Sequence, residues 1–250
     1  MNTLVNPERS PVASVCELGF RRLVAGGRWR FSVVILAGPI LCFTVDRHLF
    51  AAMSNNCAEW ALFGIACACQ LLVLSMALWF GIRAGSVREF LSLRWPGWRP
   101  LASYAAAWGM FAVVVNIAAM LLGFELREPL VWTPFQTGEV PYFCWGLLAI
   151  VVAPVAEEFW YRAAMTNGAV YIGIRPRTVV VSIAFLFAAA HVTYGLSGFL
   201  VTFVLGLATG LARFRTGSIW PSVCIHAANN ALVLIAFAAF DPTGTSFLFS

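Results

Sequence analysis

The sequence contains no lysine: all sixteen basic residues are arginine. Charge of either sign is scarce, at 11% of 250 residues, where a soluble protein carries about a quarter. With 61% hydrophobic residues, that scarcity argues against an ordinary soluble domain and predicts a polytopic membrane protein with lipid as its first partner. The arginines are dispersed over short segments and never form a basic run, so the net charge of +5 reads as topology signal and implies no nucleic-acid partner. The seven cysteines form neither a C-x-x-C pair nor a zinc-knuckle spacing, and most lie inside apolar runs, as small packing residues do. No internal repeat is visible, which weighs against carriers built from paired halves. The first apolar stretch, starting at Phe31, lacks a small-residue cleavage site and is followed by others, so it is expected to remain as an uncleaved span.

What the chain does have is apolar runs of spanning length. A transmembrane helix needs roughly 20 mainly apolar residues, and runs of that order cover residues 31–50, 61–82, 101–124, 142–172, 178–194, 197–211 and 219–240. The expected fold is therefore all-α, a polytopic transmembrane helix bundle of about seven spans. Gly38-Pro39 interrupts the first and the sixth is short. Residues 1–30 are expected to be a cytoplasmic N-terminal segment, 31–240 a single transmembrane domain and 241–250 a short tail. With the N-terminus inside, every arginine except Arg47, Arg127 and the intramembrane Arg162 falls on the cytoplasmic side. Tryptophans at 29, 60, 79, 95, 98, 145 and 220 fall near span ends, as an interfacial belt requires, while Trp108 and Trp160 are interior. Between the second and third spans, residues 85–98 mix arginines with large apolar residues and fit either a short interfacial helix or a plain loop. Gly206 and Gly210 form a G-x-x-x-G pattern that permits close helix approach.

The fourth run is interrupted by Glu157, Glu158 and Arg162. Each charge costs about 2.5 to 3.5 kcal/mol near the centre of a spanning helix on insertion scales, so intramembrane ionisable residues are functional candidates. Glu158 and Arg162 are four apart with the acid first, the favourable order for a pair, whereas Glu157 points about 100° away. The two acids are thus expected to do different work. The fifth span carries Phe187 and His191, the seventh His226 and Asn230, each pair four apart on one helix face. Together they supply a potential base in Glu157, a group able to share a proton with water in His191, and oxyanion donors in His226 and Asn230. Asn229 is three from His226 and competes with Asn230 as the inward amide. The obvious nucleophile is an activated water.

E-E-x-x-x-R at Glu157, Glu158 and Arg162, F-x-x-x-H at Phe187 and His191, and H-x-x-x-N at His226 and Asn230 resemble the three motifs of the CPBP family of intramembrane proteases. That family includes type II CAAX prenyl endopeptidases and bacterial Abi homologues. The resemblance covers residues 141–240, the expected catalytic core. It implies an intramembrane hydrolase in which Glu157 activates water with His191, His226 and Asn230 hold the oxyanion, and Glu158, Arg162 and Phe187 support the site. It also implies a membrane-anchored protein or peptide substrate and no cofactor. Phe159-Trp160 is bulkier than the Leu-Phe or Ile-Phe common in the family, which bears on substrate preference. A compact chain with short loops suggests a bacterial plasma membrane.

Three alternatives compete. Glu157, His191 and His226 suit zinc, as two histidines and a carboxylate with an open position. The same groups suit a proton relay in a carrier, or the fold serves a non-catalytic immunity or scaffolding role. One expectation is strained: measured along straight spans, Glu157 lies about 8 Å and His226 about 12 Å from the cytoplasmic edge, but His191 about 20 Å. The fifth helix must tilt or start outside the hydrocarbon.

Overall fold

In the computed structural model, residues 59–121, 140–171, 173–192 and 195–240 are described, and these are helical with no strand among them. The predicted first span, the N-terminal segment and the C-terminal tail lie outside the described residues. Seven helices follow in order: α1 Glu59–Arg83, α2 Val87–Phe90, α3 Trp98–Leu121, α4 over residues 142–171, α5 Pro176–Ala190, α6 Gly195–Thr216 and α7 Trp220–Phe240. Three of them contain segments long and apolar enough to cross a membrane, Glu59–Arg83, Tyr142–Val170 and Gly198–Thr216; α5 and Trp220–Ile235 are apolar but shorter. The chain is an integral membrane protein built as a helical bundle. Its outer faces carry large apolar side chains such as Ile82, Leu121 and Leu196, as helices facing lipid do.

α4 is the central element. It runs as one helix that alternates α and π turns, with π segments at Leu148–Val152 and Phe159–Met165 on either side of Ala153–Glu158. Every side chain from Ala156 to Asn167 is buried. A helix hydrophobic or neutralised all round is one enclosed by others, and α1, α5, α6 and α7 all pack on it. Trp160, one of the interior tryptophans, is buried with its ring 5.8 Å from that of Phe80 in α1. Such tilted ring pairs add to burial.

α5 and α6 pack closely. A Cβ added at Gly206 would stand 2.9 Å from the Cα of Ala184, and one at Gly210 3.1 Å from Val180 Cγ1. The glycine pattern therefore serves packing, letting two backbones approach where any side chain would hold them apart. The sixth helix is longer than its apolar run suggested, because Ala212, Arg213 and Thr216 continue it: Arg213 is buried against Ser92 Oγ, and the Thr216 hydroxyl donates to the carbonyl of Ala212 at 2.8 Å.

Residues 85–98 are neither a full interfacial helix nor a free loop. One turn, α2, is capped by Ser86, whose hydroxyl accepts from Glu89 N at 3.2 Å, and the chain then enters the bundle. Phe90 and Leu91 are buried, Asn167 donates to the Phe90 carbonyl, and Ile219 N donates to that of Ser92 at 3.1 Å. Ser92 holds a positive φ of 56° that only glycine adopts freely. Those contacts keep it there.

Trp145 stands near the start of α4, as expected of a residue at a span end. It is buried and donates from Nε1 to Glu59 at 3.0 Å, while Val140 N donates to the other oxygen of the same carboxylate at 3.1 Å. Glu59, unremarked in the sequence, thereby ties the start of α1 to the start of α4. A buried carboxylate holding two N–H donors has its charge partly compensated.

Candidate functional site

Glu157 and Glu158 follow one another in α4, so their side chains leave the helix about 100° apart. Both are buried. Glu158 Oε1 lies 3.1 Å from Arg162 Nη1, one helical turn on, and 2.9 Å from His226 Nδ1 on α7. The expected Glu-Arg pair is present, and a histidine joins it. Arg162 is enclosed as well, its guanidinium 4.3 Å from the centre of the Phe187 ring and 5.6 Å from that of Tyr161. A cation over aromatic faces recovers part of the solvation it loses on burial.

Glu157 has different neighbours. Gln70 of α1 donates from Nε2 to Oε1 at 3.3 Å, and Oε2 lies 3.9 Å from His226 Nε2. Oε2 is buried and has no hydrogen-bond partner among the described residues. His226 thus stands between the two acids, with Nδ1 toward Glu158 and Nε2 toward Glu157. A ring that donates its Nδ1 proton to Glu158 has a second N–H to offer from Nε2 only as an imidazolium.

Phe187 connects the two histidines. Its ring centre is 4.7 Å from that of His191 and 5.5 Å from that of His226. The run at 178–194 does not make a full span: α5 has 15 residues, about 22 Å, and stops at Ala190. His191 sits at its C-terminal cap, half-buried, with Nδ1 2.7 Å from the Phe187 carbonyl. A histidine at a helix C-terminus meets unpaired carbonyls and the negative end of the dipole.

Asn229 and Asn230 are linked to each other. Asn230 donates from Nδ2 to the carbonyl of Ala149 in α4 at 2.8 Å, and its Oδ1 accepts from Asn229 Nδ2 at 3.2 Å. Asn229 Oδ1 in turn accepts from Trp108 Nε1 of α3 at 3.3 Å. The choice between the two amides therefore becomes a chain, Trp108 to Asn229 to Asn230 to Ala149. It also explains the interior Trp108, whose N–H needs a partner when buried.

The elements bring Glu157, Glu158, Arg162, Phe187, His191 and His226 into one connected group, with Asn230 one helical turn from His226. Among the described residues, no three His, Cys, Asp or Glu side chains stand together as a metal-binding set. Gln70 is the residue that sequence reasoning missed. Its signal was available: it is the single amide in the apolar run of α1.

Residues 139–232 match the family described as type II CAAX prenyl endopeptidase, Rce1-like, in agreement with the resemblance of the three motifs. The matched segment holds both glutamates, both histidines and both asparagines of the site, while Gln70 and Trp108 lie before it. No curated protein and no solved structure matches the chain.

Proposed function

From the match of residues 139–232 to the family described as type II CAAX prenyl endopeptidase, Rce1-like, we propose that this integral membrane protein is an intramembrane endopeptidase that uses Glu157 to activate water. One observation carries the reading, the unequal treatment of two adjacent acids. Glu158 Oε1 is tied to Arg162 and His226, whereas Glu157 is held only by Gln70 on Oε1 and has no cation closer to its Oε2 than His226 Nε2 at 3.9 Å; the second oxygen of each acid is buried without a hydrogen-bond partner among the described residues.

Glu157 takes a proton from water held beside Oε2, with His191 sharing the task of orienting it. The hydroxide attacks the carbonyl carbon of the scissile peptide, and charge develops on the carbonyl oxygen. His226 Nε2–H and the Asn230 amide donate to that oxyanion, and donors fixed in a poorly hydrated site act more strongly than they would in water. The tetrahedral intermediate then collapses: the C–N bond breaks, the proton held by Glu157 passes to the departing amine, and a carboxylate and an amine are released. Gln70 holds the far oxygen of Glu157, so Oε2 is the one left for water. Glu158 and Arg162 keep His226 in place. No metal takes part in this scheme, in which Asn230, a poor zinc ligand and a good amide donor, is the partner of His226.

The substrate is a membrane-associated protein or peptide cut near its end, whether prenylated or carrying a sorting signal. The compact chain with short loops suits a bacterial plasma membrane, and the arginine asymmetry puts its N-terminus in the cytoplasm. The experiment is a comparison of membrane proteomes from cells producing the parent and the Glu157→Gln variant at equal levels. New C-termini on membrane-associated proteins, present only with the parent, are expected. Identical termini in both would remove the protease reading.

A further inference from the structure

The amide of Asn230 is held by a carbonyl that a helix would normally consume. In a regular α-helix the oxygen of Ala149 accepts from the N–H of residue 153, and in a π turn from that of residue 154. Here neither bond is available. Leu148–Val152 is a π segment, and the N–H of Ala153 donates to Leu148, five residues back. The next residue is Pro154, which has no N–H. Ala149 is thereby left with an acceptor facing α7 and no main-chain donor in either register, and Asn230 Nδ2 fills it at 2.8 Å. Ala149 is half-buried between apolar helices, where a carbonyl rarely goes unpaired, so the bond is favoured once the ladder is broken.

We infer that Pro154 is a positioning residue for the Asn230 side chain: by breaking the ladder at Ala149 it lets that carbonyl fix one of the two amide hydrogens and so set the direction of the other. The remaining end of the amide is fixed independently, since Oδ1 accepts from Asn229, itself held by Trp108. An amide pinned at its oxygen and at one N–H has a single N–H left to offer, in one direction and with one assignment of O and N. That is the preorganisation an oxyanion donor needs, because no bond must be made or broken at the moment charge develops. The inference rests on the oxyanion role proposed for Asn230. It adds that the donor's orientation is encoded seventy-six residues earlier in the chain, by a proline three positions before Glu157.

Replacing Pro154 by alanine supplies the missing donor. If the π segment persists, the new N–H of residue 154 reaches Ala149; if the helix relaxes to α, the N–H of Ala153 does. Either way the carbonyl gains a main-chain partner and its hold on Asn230 weakens. Alanine also favours the helix, so the variant is expected to fold. Two measurements are made on purified Pro154→Ala, Asn230→Ala, the double variant and the parent in lipid nanodiscs. In the first, nitrogen NMR with labelled asparagine follows the Asn230 side-chain amide, identified by its loss in Asn230→Ala. The parent should show one hydrogen-bonded hydrogen that exchanges slowly, and Pro154→Ala should lose that protection. In the second, Pro154→Ala should lower kcat by about tenfold or more with KM nearly unchanged, and should cost nothing further in the Asn230→Ala background. An unchanged Asn230 resonance in Pro154→Ala, or kinetic losses that simply add in the double variant, would overturn the inference. The amide measurement needs no substrate, so it reports on Pro154 even if the parent proves to cleave no peptide; that result would count against the proposed function alone.

Discussion

His226 Nδ1 and Arg162 Nη1 meet the same atom, Oε1 of Glu158, at 2.9 and 3.1 Å. One carboxylate oxygen thus joins a motif in α4 to a motif in α7, and it is committed to both cations or donors at once. An acid so engaged is a poor candidate for a base. Glu157, by contrast, has one oxygen tethered by Gln70 and the other facing His226 at a distance too long for a hydrogen bond.

Glu158→Gln should therefore damage the fold before the chemistry. It leaves Arg162 buried without its counter-charge and loosens His226, and breaking a buried pair by removing one partner costs about 3 to 5 kcal/mol. A lower unfolding temperature in detergent and a reduced yield of monodisperse protein are the expected results. Normal stability would mean that the cluster is neutralised by other groups.

Gln70→Leu tests the residue outside the family match. The substitution keeps volume but removes the donor to Glu157 Oε1, and Gln70 is only half-buried, so folding should be little affected. Turnover should drop by about tenfold with KM almost constant, the pattern of an interaction that acts on the chemical step. A rise in KM alone would assign Gln70 to substrate binding.

Gly206, at the α5–α6 contact, and Gly64, on the open face of α1, should respond oppositely to alanine. Gly206→Ala must push the backbone of Ala184 away and should destabilise by about 1 to 3 kcal/mol, since its Cβ would stand 2.9 Å from that Cα. Gly64→Ala meets nothing within 4 Å and should leave stability equal or slightly raised. Thermal unfolding of the two variants beside the parent checks both.

Metal removal should be without effect. Dialysis of the purified protein against a strong chelator is expected to leave turnover unchanged, and metal analysis should find less than stoichiometric zinc. Loss of activity restored by zinc would return Glu157, His191 and His226 to the role of ligands and would require water to be activated on the metal.

The legible part of the structure was the part written as spacing. Glu158 and Arg162 pair because i, i+4 places them on one face, and Gly206 with Gly210 opens a groove because small residues recur at the same interval. The helices themselves follow from runs of apolar residues, and ends were misjudged where polar residues continue a helix, as Arg213 and Thr216 do in α6. What spacing does not carry is which helix meets which. Gln70 has its partner 87 residues away, and the interior Trp108 has its partner in Asn229, 121 residues on. The shortness of α5 was also hidden, because apolar residues continue past its end at His191 while the helix does not.

The most direct test of the account is the turnover of purified Glu157→Gln on a membrane-anchored peptide that the parent cleaves, measured at equal amounts of folded protein. Glutamine keeps the shape of the side chain and its contacts but cannot take a proton from water. The account predicts cleavage below detection with the unfolding temperature within a few degrees of the parent. Turnover equal to the parent in that variant would contradict it, and the base would then have to be sought elsewhere in the cluster.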